Sequence, residues 1–199
     1  MAVSLNPNGL TLGSTTVDDW NDAGVWTLIE AVDFSSYVSS VDFTTGINST
    51  YDTYMLIGSG MHTNNAATEA CVQAYVNGAW QTSNYMVISQ RIIRTSTNAN
   101  NQDTTNYTDC LSTSYLNPKG GSNQGVDFKV IFNNPSSTSY RVQAMGEWWG
   151  EDNAVNLVYN NCAGVYRGGN QAMTGIRLRI RNGVSFNGYK VALYGLKYS

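Results

Sequence analysis

The chain has 199 residues, of which 42% are hydrophobic and only 13% are charged, and its formal net charge is −3. A chain of this length can bury a full core, so we expect one folded domain that needs no disulfide or metal for its stability. The acidic balance argues against a nucleic-acid partner, which requires a basic surface, and it gives no polybasic signal for a membrane surface.

The N-terminal segment, residues 1–16, differs from the rest of the chain. It lacks the basic and apolar parts of a secretion signal, and no apolar run in the chain approaches the ~20 residues that cross a bilayer. We therefore expect a protein with no membrane partner that is made in a cytoplasm. Turn formers separate four apolar residues, which predicts an extended arm that binds a partner through Val3, Leu5, Leu10 and Leu12. The alternative is an edge strand on the chain's own sandwich.

From residue 25 onward, short strand patterns recur about every dozen residues and are separated by turn signals such as Asn77-Gly78 and Asn187-Gly188. This spacing predicts an all-β fold, an antiparallel jelly-roll-like β-sandwich over residues 25–199 that follows an arm and turn over residues 1–24. Residues 62–71 form the one helix-like stretch, and residues 95–123 are predicted to be loop. The predicted strands cover residues 25–32, 37–43, 51–58, 70–76, 85–94, 125–132, 140–148, 175–181 and 189–198.

The strongest period-two alternation lies near the C-terminus. Ile176, Leu178 and Ile180 are predicted to face the core, which places Arg177, Arg179 and Arg181 on the opposite face. Three arginines at alternate positions are typical of a solvent-facing strand. The alternative is a contact with an acidic neighbouring subunit, because the planar guanidinium pairs bidentately with carboxylates.

An aromatic and acidic cluster, Glu147-Trp148-Trp149-Gly150-Glu151-Asp152, has three interpretations. It could be a strand end that buries one tryptophan and exposes its acids in a loop. It could be a platform for a glycan or a protein partner, formed by Glu147, Trp148 and Trp149. Its carboxylates could also form a glycosidase pair, although residues that lie around a turn do not fix the required separation.

Other signals for catalysis or metal binding are weak. His62 is the only histidine, and no nucleophile motif or nucleotide-binding loop occurs. Asp19 and Glu30 have the spacing of a calcium loop, but Ala23 stands where an oxygen ligand belongs. We therefore expect no enzymatic activity, no catalytic residue, no metal and no cofactor. The odd number of cysteines indicates that Cys71, Cys110 and Cys162 are buried free thiols. The alternative is one internal disulfide between two of them.

Three stretches resemble a β-sandwich module of virion proteins from marine and freshwater tailed phages. They are VDFTTGINSTYDTY at 41–54, FNNPSSTSY at 132–140 and SFNGYKVALYGLK at 185–197. The resemblance covers roughly residues 33–197, and its motifs are structural. It implies a jelly-roll-like β-sandwich, often assembled as a homotrimer, in capsid decorations, fibres or tail-associated proteins.

The resulting expectation is a capsid-decorating cement protein on the exterior of a virion, bound to the major capsid protein, which stabilises the particle by clamping neighbouring capsid subunits. The alternative is a tail-fibre or receptor-binding domain that recognises a host-surface glycan through exposed Tyr and Trp. A free-standing carbohydrate-binding module is a third, weaker interpretation. The short chain, which contains no fibre-shaft repeats, favours the cement role.

Overall fold

The computed structural model describes residues 25–63, 69–94, 109–113, 125–151 and 156–198, and it gives the backbone of four further strands within residues 3–17 and 99–104. Apart from one short 3-10 turn, Arg181–Gly183, every regular element in these described residues is a strand. No helix in the described part of the chain is long and apolar enough to span a membrane. The strands are β1 Val3–Asn6, β2 Gly9–Leu12, β3 Thr15–Val17, β4 Thr27–Asp33, β5 Ser40–Phe43, β6 Thr53–Thr63, β7 Ala70–Val76, β8 Ala79–Trp80, β9 Tyr85–Arg94, β10 Ala99–Thr104, β11 Ser112–Thr113, β12 Val126–Asn133, β13 Gln143–Glu151, β14 Leu157–Tyr166, β15 Met173–Ile180, β16 Phe186–Asn187 and β17 Lys190–Leu196.

Two antiparallel sheets pack face to face. The large sheet has the strand order β10-β9-β14-β13-β12-β6-β17-β4, with β16 paired to the end of β6. The small sheet has the order β11-β7-β15-β5, with β8 paired to β7. The prediction of an all-β antiparallel sandwich is therefore confirmed, whereas its jelly-roll connectivity stays a prediction.

The core lies between the two sheets and is built from the inward residues, which alternate with outward ones along the strands. In β12, Phe128, Val130 and Phe132 are buried, and the residues between them face outward. Phe128 stacks on Trp148 of β13, with ring centroids 4.5 Å apart and an interplanar angle of 24°. Gly58 of β6 leaves room for this stack, because a Cβ there would lie 2.2 Å from the Phe128 ring.

The predicted orientation of the C-terminal strand pattern is confirmed, since Ile176, Leu178 and Ile180 are all buried in the core. The expected free cysteines are confirmed too, because Cys71, Cys110 and Cys162 are buried and unpaired. A turn at Asn134-Pro135-Ser136 lies in the connection from β12 to β13.

Three local expectations differ from the structure. The helix-like stretch 62–71 is wrong at both ends, because His62 lies in β6, which extends to Thr63, and Cys71 lies in β7, which pairs with β15. The predicted loop 95–123 contains β10 and β11. Strand β14 was not predicted, because Asn160-Asn161 and Gly164 resemble a turn; in the sheet, buried Asn160 donates from Nδ2 to the Gln90 carbonyl at 3.0 Å.

The segment predicted as an extended arm contains three short strands that pair with one another. The register places Val3 opposite Leu12 and Leu5 opposite Leu10, and β3 pairs with β2. The backbone therefore forms a small antiparallel sheet of its own and reverses direction twice. The side chains of these residues lie outside the described part of the structure, as do residues 18–24.

Adjacent tryptophans on β13 provide a direct test of the two faces of the large sheet. We expect Trp148→Ala to lower the free energy of unfolding by about 3–5 kcal/mol, because it empties a fully buried site. Trp149→Ala, on the outer face, is the matched control and should change it by about 0.5 kcal/mol or less. Urea denaturation followed by circular dichroism measures both. Equal losses for the two variants would contradict this assignment of faces.

Candidate functional site

The outer face of the large sheet is the surface that points away from the core. Its residues alternate with the buried ones, so that Ile131 and Asn133 face outward from β12 and Met145 and Glu147 from β13. Because side chains alternate strictly along a strand, the registers between strands determine which outward residues become neighbours.

One continuous line of apolar residues crosses seven strands of this face. Each member lies directly opposite the next in the strand registers. Ile88 and Met145 are 72% and 65% exposed, which is unusual for side chains of this size. We call this line the apolar row, and its members are Leu28, Tyr194, Met55, Ile131, Met145, Ala163 and Ile88.

A polar row runs beside the apolar row, two residues further along the strands. It contains Lys129, Glu147, Asn161 and Gln90, which are opposite one another in the registers. Lys129 Nζ lies 2.6 Å from Glu147 Oε2, and the Tyr159 hydroxyl donates to Glu147 Oε1 at 3.2 Å. The only cation of the polar row is therefore already paired with its only anion.

The ion pair sets the protonation of Glu147. The hydrogen bond from Lys129 is the main cause that holds the pKa of the Glu147 carboxyl below its usual value; burial opposes it, and the positive charge of Lys129 and the hydrogen bond from Tyr159 add to the lowering. Burial and the neighbouring carboxylate both raise the pKa of the Tyr159 hydroxyl. Glu147 is thus an anion and a hydrogen-bond acceptor at neutral pH, which makes it a poor proton donor.

A groove of about 940 Å³ lies along the two rows. Its floor includes Ile131, Met145 and Ile88, and its lining also includes Trp26 and Tyr198, which flank β4 and β17. The Tyr198 hydroxyl shares a 2.8 Å hydrogen bond with Thr53 Oγ1, and its backbone N–H donates to Asp52 Oδ2 at 2.8 Å. These bonds hold Tyr198 at the groove.

The structure separates the three residues of the predicted Glu147, Trp148 and Trp149 platform. Trp148 points into the core, where its Nε1 donates to Ser112 Oγ at 3.2 Å, so it cannot contact a ligand on the surface. Trp149 is 39% exposed on the outer face, opposite Tyr159. The placement of Glu147 at a turn is wrong, because it lies in the middle of β13; Asp152 lies outside the described residues.

The three predicted partner-binding arginines are each paired within the chain. Arg177 forms a bidentate pair with Asp42, at 2.7 and 2.6 Å, and its guanidinium lies 4.2 Å from the Trp80 ring centroid. Arg179 pairs with Asp109 at 3.2 Å. Their carboxylate partners belong to the chain itself, so an acidic neighbouring subunit is not needed to neutralise them.

Arg181 continues this cluster but lies in the 3-10 turn after β15 and not in the strand. Its guanidinium contacts Glu69 at 2.8 Å and Asp109 at 2.9 Å. These contacts tie the start of β7 and the residue before Cys110 to the end of β15. The cluster therefore fastens the described segment 109–113 to the small sheet.

The remaining candidate residues have structural surroundings. His62 Nδ1 lies 3.0 Å from the Gly60 carbonyl oxygen, and its ring meets the Tyr37 ring edge-on. A hydrogen bond with Cys71, followed by burial, raises the pKa of the Cys110 thiol, and burial raises that of Cys162. Among the residues that the structure describes, no group of three His, Cys, Asp or Glu side chains is placed to hold a metal ion.

Of the predicted platform residues, Glu147 and Trp149 lie on the outer face, whereas the apolar row and the groove were not predicted from the sequence. The row crosses strands that are far apart in sequence, so no local pattern contains it. Exposed-looking apolar residues such as Ile88 and Met145 were the only available signal. Four further predicted contacts, Val3, Leu5, Leu10 and Leu12, lie where only the backbone is described.

Comparison of the chain with protein-family models, with curated proteins and with solved structures finds no match. The resemblance to phage virion modules therefore rests on the three sequence stretches alone.

The Lys129–Glu147 pair generates a pH-dependent expectation. Because the pKa of Glu147 is lower in the folded chain than in the unfolded one, the stabilisation from this pair is present above the unfolded value and is lost as pH falls through the folded value. We expect Lys129→Ala to raise the pKa of Glu147 toward its ordinary value in an NMR titration of the side-chain carboxyl carbon. Lys190→Ala, which breaks the separate pair with Asp33, is the control and should leave this titration unchanged. An unchanged Glu147 titration in Lys129→Ala would show that the pair does not form in solution.

Proposed function

We propose that this chain is a structural protein of a phage virion that acts by binding and not by catalysis. Its specific role in this proposal is capsid decoration, in which it stabilises the particle by clamping neighbouring capsid subunits. The observation that carries the binding role is the apolar row, exposed across seven strands of the large sheet. Contiguous apolar surface of this kind typically marks a protein interaction site in a folded domain.

The energetics favour a protein partner for this face. Complete burial of a side chain such as Ile88 or Met145 contributes about 1.5–3 kcal/mol. Both side chains are carried by strands that are hydrogen-bonded on both sides, so little backbone order has to be gained when a partner binds. A rigid apolar face is therefore a favourable docking surface.

The chemistry of the same face supports a non-enzymatic role. Among the described residues that line the groove, Glu147 is the only carboxylate, and its pairing with Lys129 keeps it ionised. A general acid at neutral pH requires the opposite shift. The groove thus offers shape, apolar contact and neutral hydrogen-bonding groups.

The identity of the particle and of the binding partner in this proposal is taken from the sequence resemblance. In this proposal the major capsid protein is the binding partner, the chain lies on the capsid exterior after synthesis in the host cytoplasm, and the assembly is a homotrimer. Residues 1–16 act as the anchor through Val3, Leu5, Leu10 and Leu12. The backbone register of β1 and β2 supports this, because it places Val3 opposite Leu12 and Leu5 opposite Leu10.

A second candidate function is recognition of a host-surface glycan, as in a tail-fibre or receptor-binding domain. The observation that favours it is the exposed Trp149 beside Tyr159, next to the Glu147 carboxylate. Aromatic rings stack on the apolar faces of sugars, and a carboxylate accepts hydrogen bonds from their hydroxyls. This candidate uses one edge of the outer face and leaves the apolar row unexplained.

The location of the chain tests the proposed function. We expect immunogold labelling or cryo-electron microscopy of the virion to place it on the capsid surface. Deletion of residues 2–16 should leave a folded domain that no longer binds particles lacking the protein. Tyr140→Ala, which changes an exposed residue between β12 and β13, is the control and should retain binding.

Two outcomes would contradict the capsid role. Label at the tail, together with binding to a glycan array that is lost in Trp149→Ala, would favour the receptor-binding candidate. Particle binding that is unchanged after deletion of residues 2–16 would show that the N-terminal segment is not the anchor.

A further inference from the structure

One of the buried cysteines lies on the face of the small sheet that points away from the core. In the register of β7 and β15, Val72 is opposite Leu178, and both side chains belong to the core. Cys71 precedes Val72 in β7 and is opposite Arg179. Because successive side chains of a strand point to opposite faces, Cys71 and Arg179 share the outer face of the small sheet.

Backbone contacts on both sides of Cys110 hold it beside Cys71. The Asp109 carbonyl oxygen accepts a hydrogen bond from Cys71 Sγ at 3.7 Å. On the other side of Cys110, the Leu111 N–H donates to the Val72 carbonyl at 2.7 Å. The Cys110 and Cys71 side chains are hydrogen-bonded to each other, and both are fully buried. The two thiols are therefore neighbours in one site.

The third cysteine has other partners. Cys162 Sγ shares a 3.0 Å hydrogen bond with Ser112 Oγ, which also accepts from Trp148 Nε1 at 3.2 Å. Ser112 is opposite Val72 in the register of β11 and β7, so these contacts lie on the core side of the small sheet. Cys162 is thus separated from Cys71 by the sheet itself.

We infer that Cys71 and Cys110 are a covalent modification site, which a low-molecular-weight disulfide such as oxidised glutathione converts to an internal disulfide. Each thiol gives up its proton, and a bond forms between the two sulfurs. The S–S bond of the oxidant breaks, and its halves leave as two thiols that carry the protons and the electron pair. The inference goes beyond the proposed function and does not rest on it, because it concerns contacts within one chain.

The oxidant reaches this pair only when the segment 109–113 moves away from the small sheet. The hydrogen bond with Cys71, followed by burial, raises the pKa of the Cys110 thiol, so the closed pair stays protonated and unreactive. The Asp109 carboxylate fastens the segment, since it lies 3.2 Å from Arg179 and 2.9 Å from Arg181. Opening of these ion pairs exposes the thiols, and the disulfide then holds the segment closed.

The disulfide is expected to stabilise the fold. It closes the long loop between β7 and β11, and a cross-link of this kind restricts the unfolded chain. In the proposed virion role, a reducing cytoplasm keeps the pair as thiols, and the bond forms after the particle leaves the cell. The more stable form of the chain would then be the one outside the host.

Exposure of the purified, native chain to oxidised glutathione, with no particle present, tests the inference. We expect an intact mass that is lower by two hydrogen atoms, a proteolytic fragment that joins Cys71 to Cys110, and one remaining thiol in a count under urea. The equilibrium constant for unfolding should fall by at least about 30-fold relative to the reduced chain. Urea denaturation followed by circular dichroism measures this change.

Serine variants assign the bond to its two residues. Cys110→Ser should form no internal disulfide and should gain no stability from the oxidant. Cys162→Ser is the matched control, because it also removes a buried cysteine but should form the bond and gain the full stability. The measurement on the unmodified chain needs neither variant, so it decides the question even if one of them does not fold.

The rate of oxidation tests the access route. Asp109→Asn loses the ionic contacts with Arg179 and Arg181, so its segment should open more often and its disulfide should form at least about twofold faster. Asp42→Asn is the matched control, because Asp42 pairs with Arg177 on the same face, and it should react at the rate of the unmodified chain. An unchanged rate in Asp109→Asn would contradict access through this segment.

Two results would overturn the inference. One is a native chain that keeps all three thiols under conditions that fully oxidise the urea-unfolded chain. The other is a disulfide that includes Cys162. Neither result bears on the capsid role, which particle binding tests separately.

Discussion

The stack of Phe128 on Trp148 is the interaction on which the arrangement of the large sheet depends. Both rings are buried between the sheets, and Gly58 leaves the space that they fill. Because side chains alternate along a strand, a slip by one residue in β12 or β13 would bring charged Lys129 or Glu147 into the core. The core packing therefore determines the register, and the register determines which residues face outward.

The outer face follows from this constraint. Once Phe128 and Trp148 point inward, Ile131 and Met145 must point outward as cross-strand neighbours. The same register places Lys129 opposite Glu147, so the charges that the core excludes neutralise each other on the surface. An apolar row beside a neutral polar row is a surface suited to a protein partner. The small sheet differs, because its outward arginines are paired with acidic residues of the chain.

Local patterns were enough to predict much of the sandwich. Strands β7 and β9 have the predicted bounds, and the alternation of Ile176, Leu178 and Ile180 gave the correct inward face. Strand β14 could not be predicted in this way, because Asn160 is stable in the core only through its hydrogen bond to the neighbouring strand. That bond is a tertiary contact which the local sequence does not contain.

The candidate site was less accessible to sequence reasoning than the fold. The apolar row unites residues of β4, β17, β6, β12, β13, β14 and β9, and this spatial order differs from the chain order. A row of this kind is determined by six registers at once. Similarly, the sequence shows no acidic partners near Arg177 and Arg179. Their partners, Asp42 and Asp109, are distant along the chain, and only the fold brings these charges together.

The central claim is that a protein covers the outer face of the large sheet in the assembled state. Hydroxyl-radical footprinting, read by mass spectrometry, measures this directly on the unmodified chain. Met145 and Met86 report on the outer face, buried Met61 and Met173 give the unreactive baseline, and exposed Tyr140 gives the reactive reference. The account predicts that Met145 and Met86 are protected at assembling concentrations and become reactive on dilution, while Tyr140 does not change. Equal reactivity of Met145 and Met86 in the dilute, the concentrated and the particle-bound chain would contradict it.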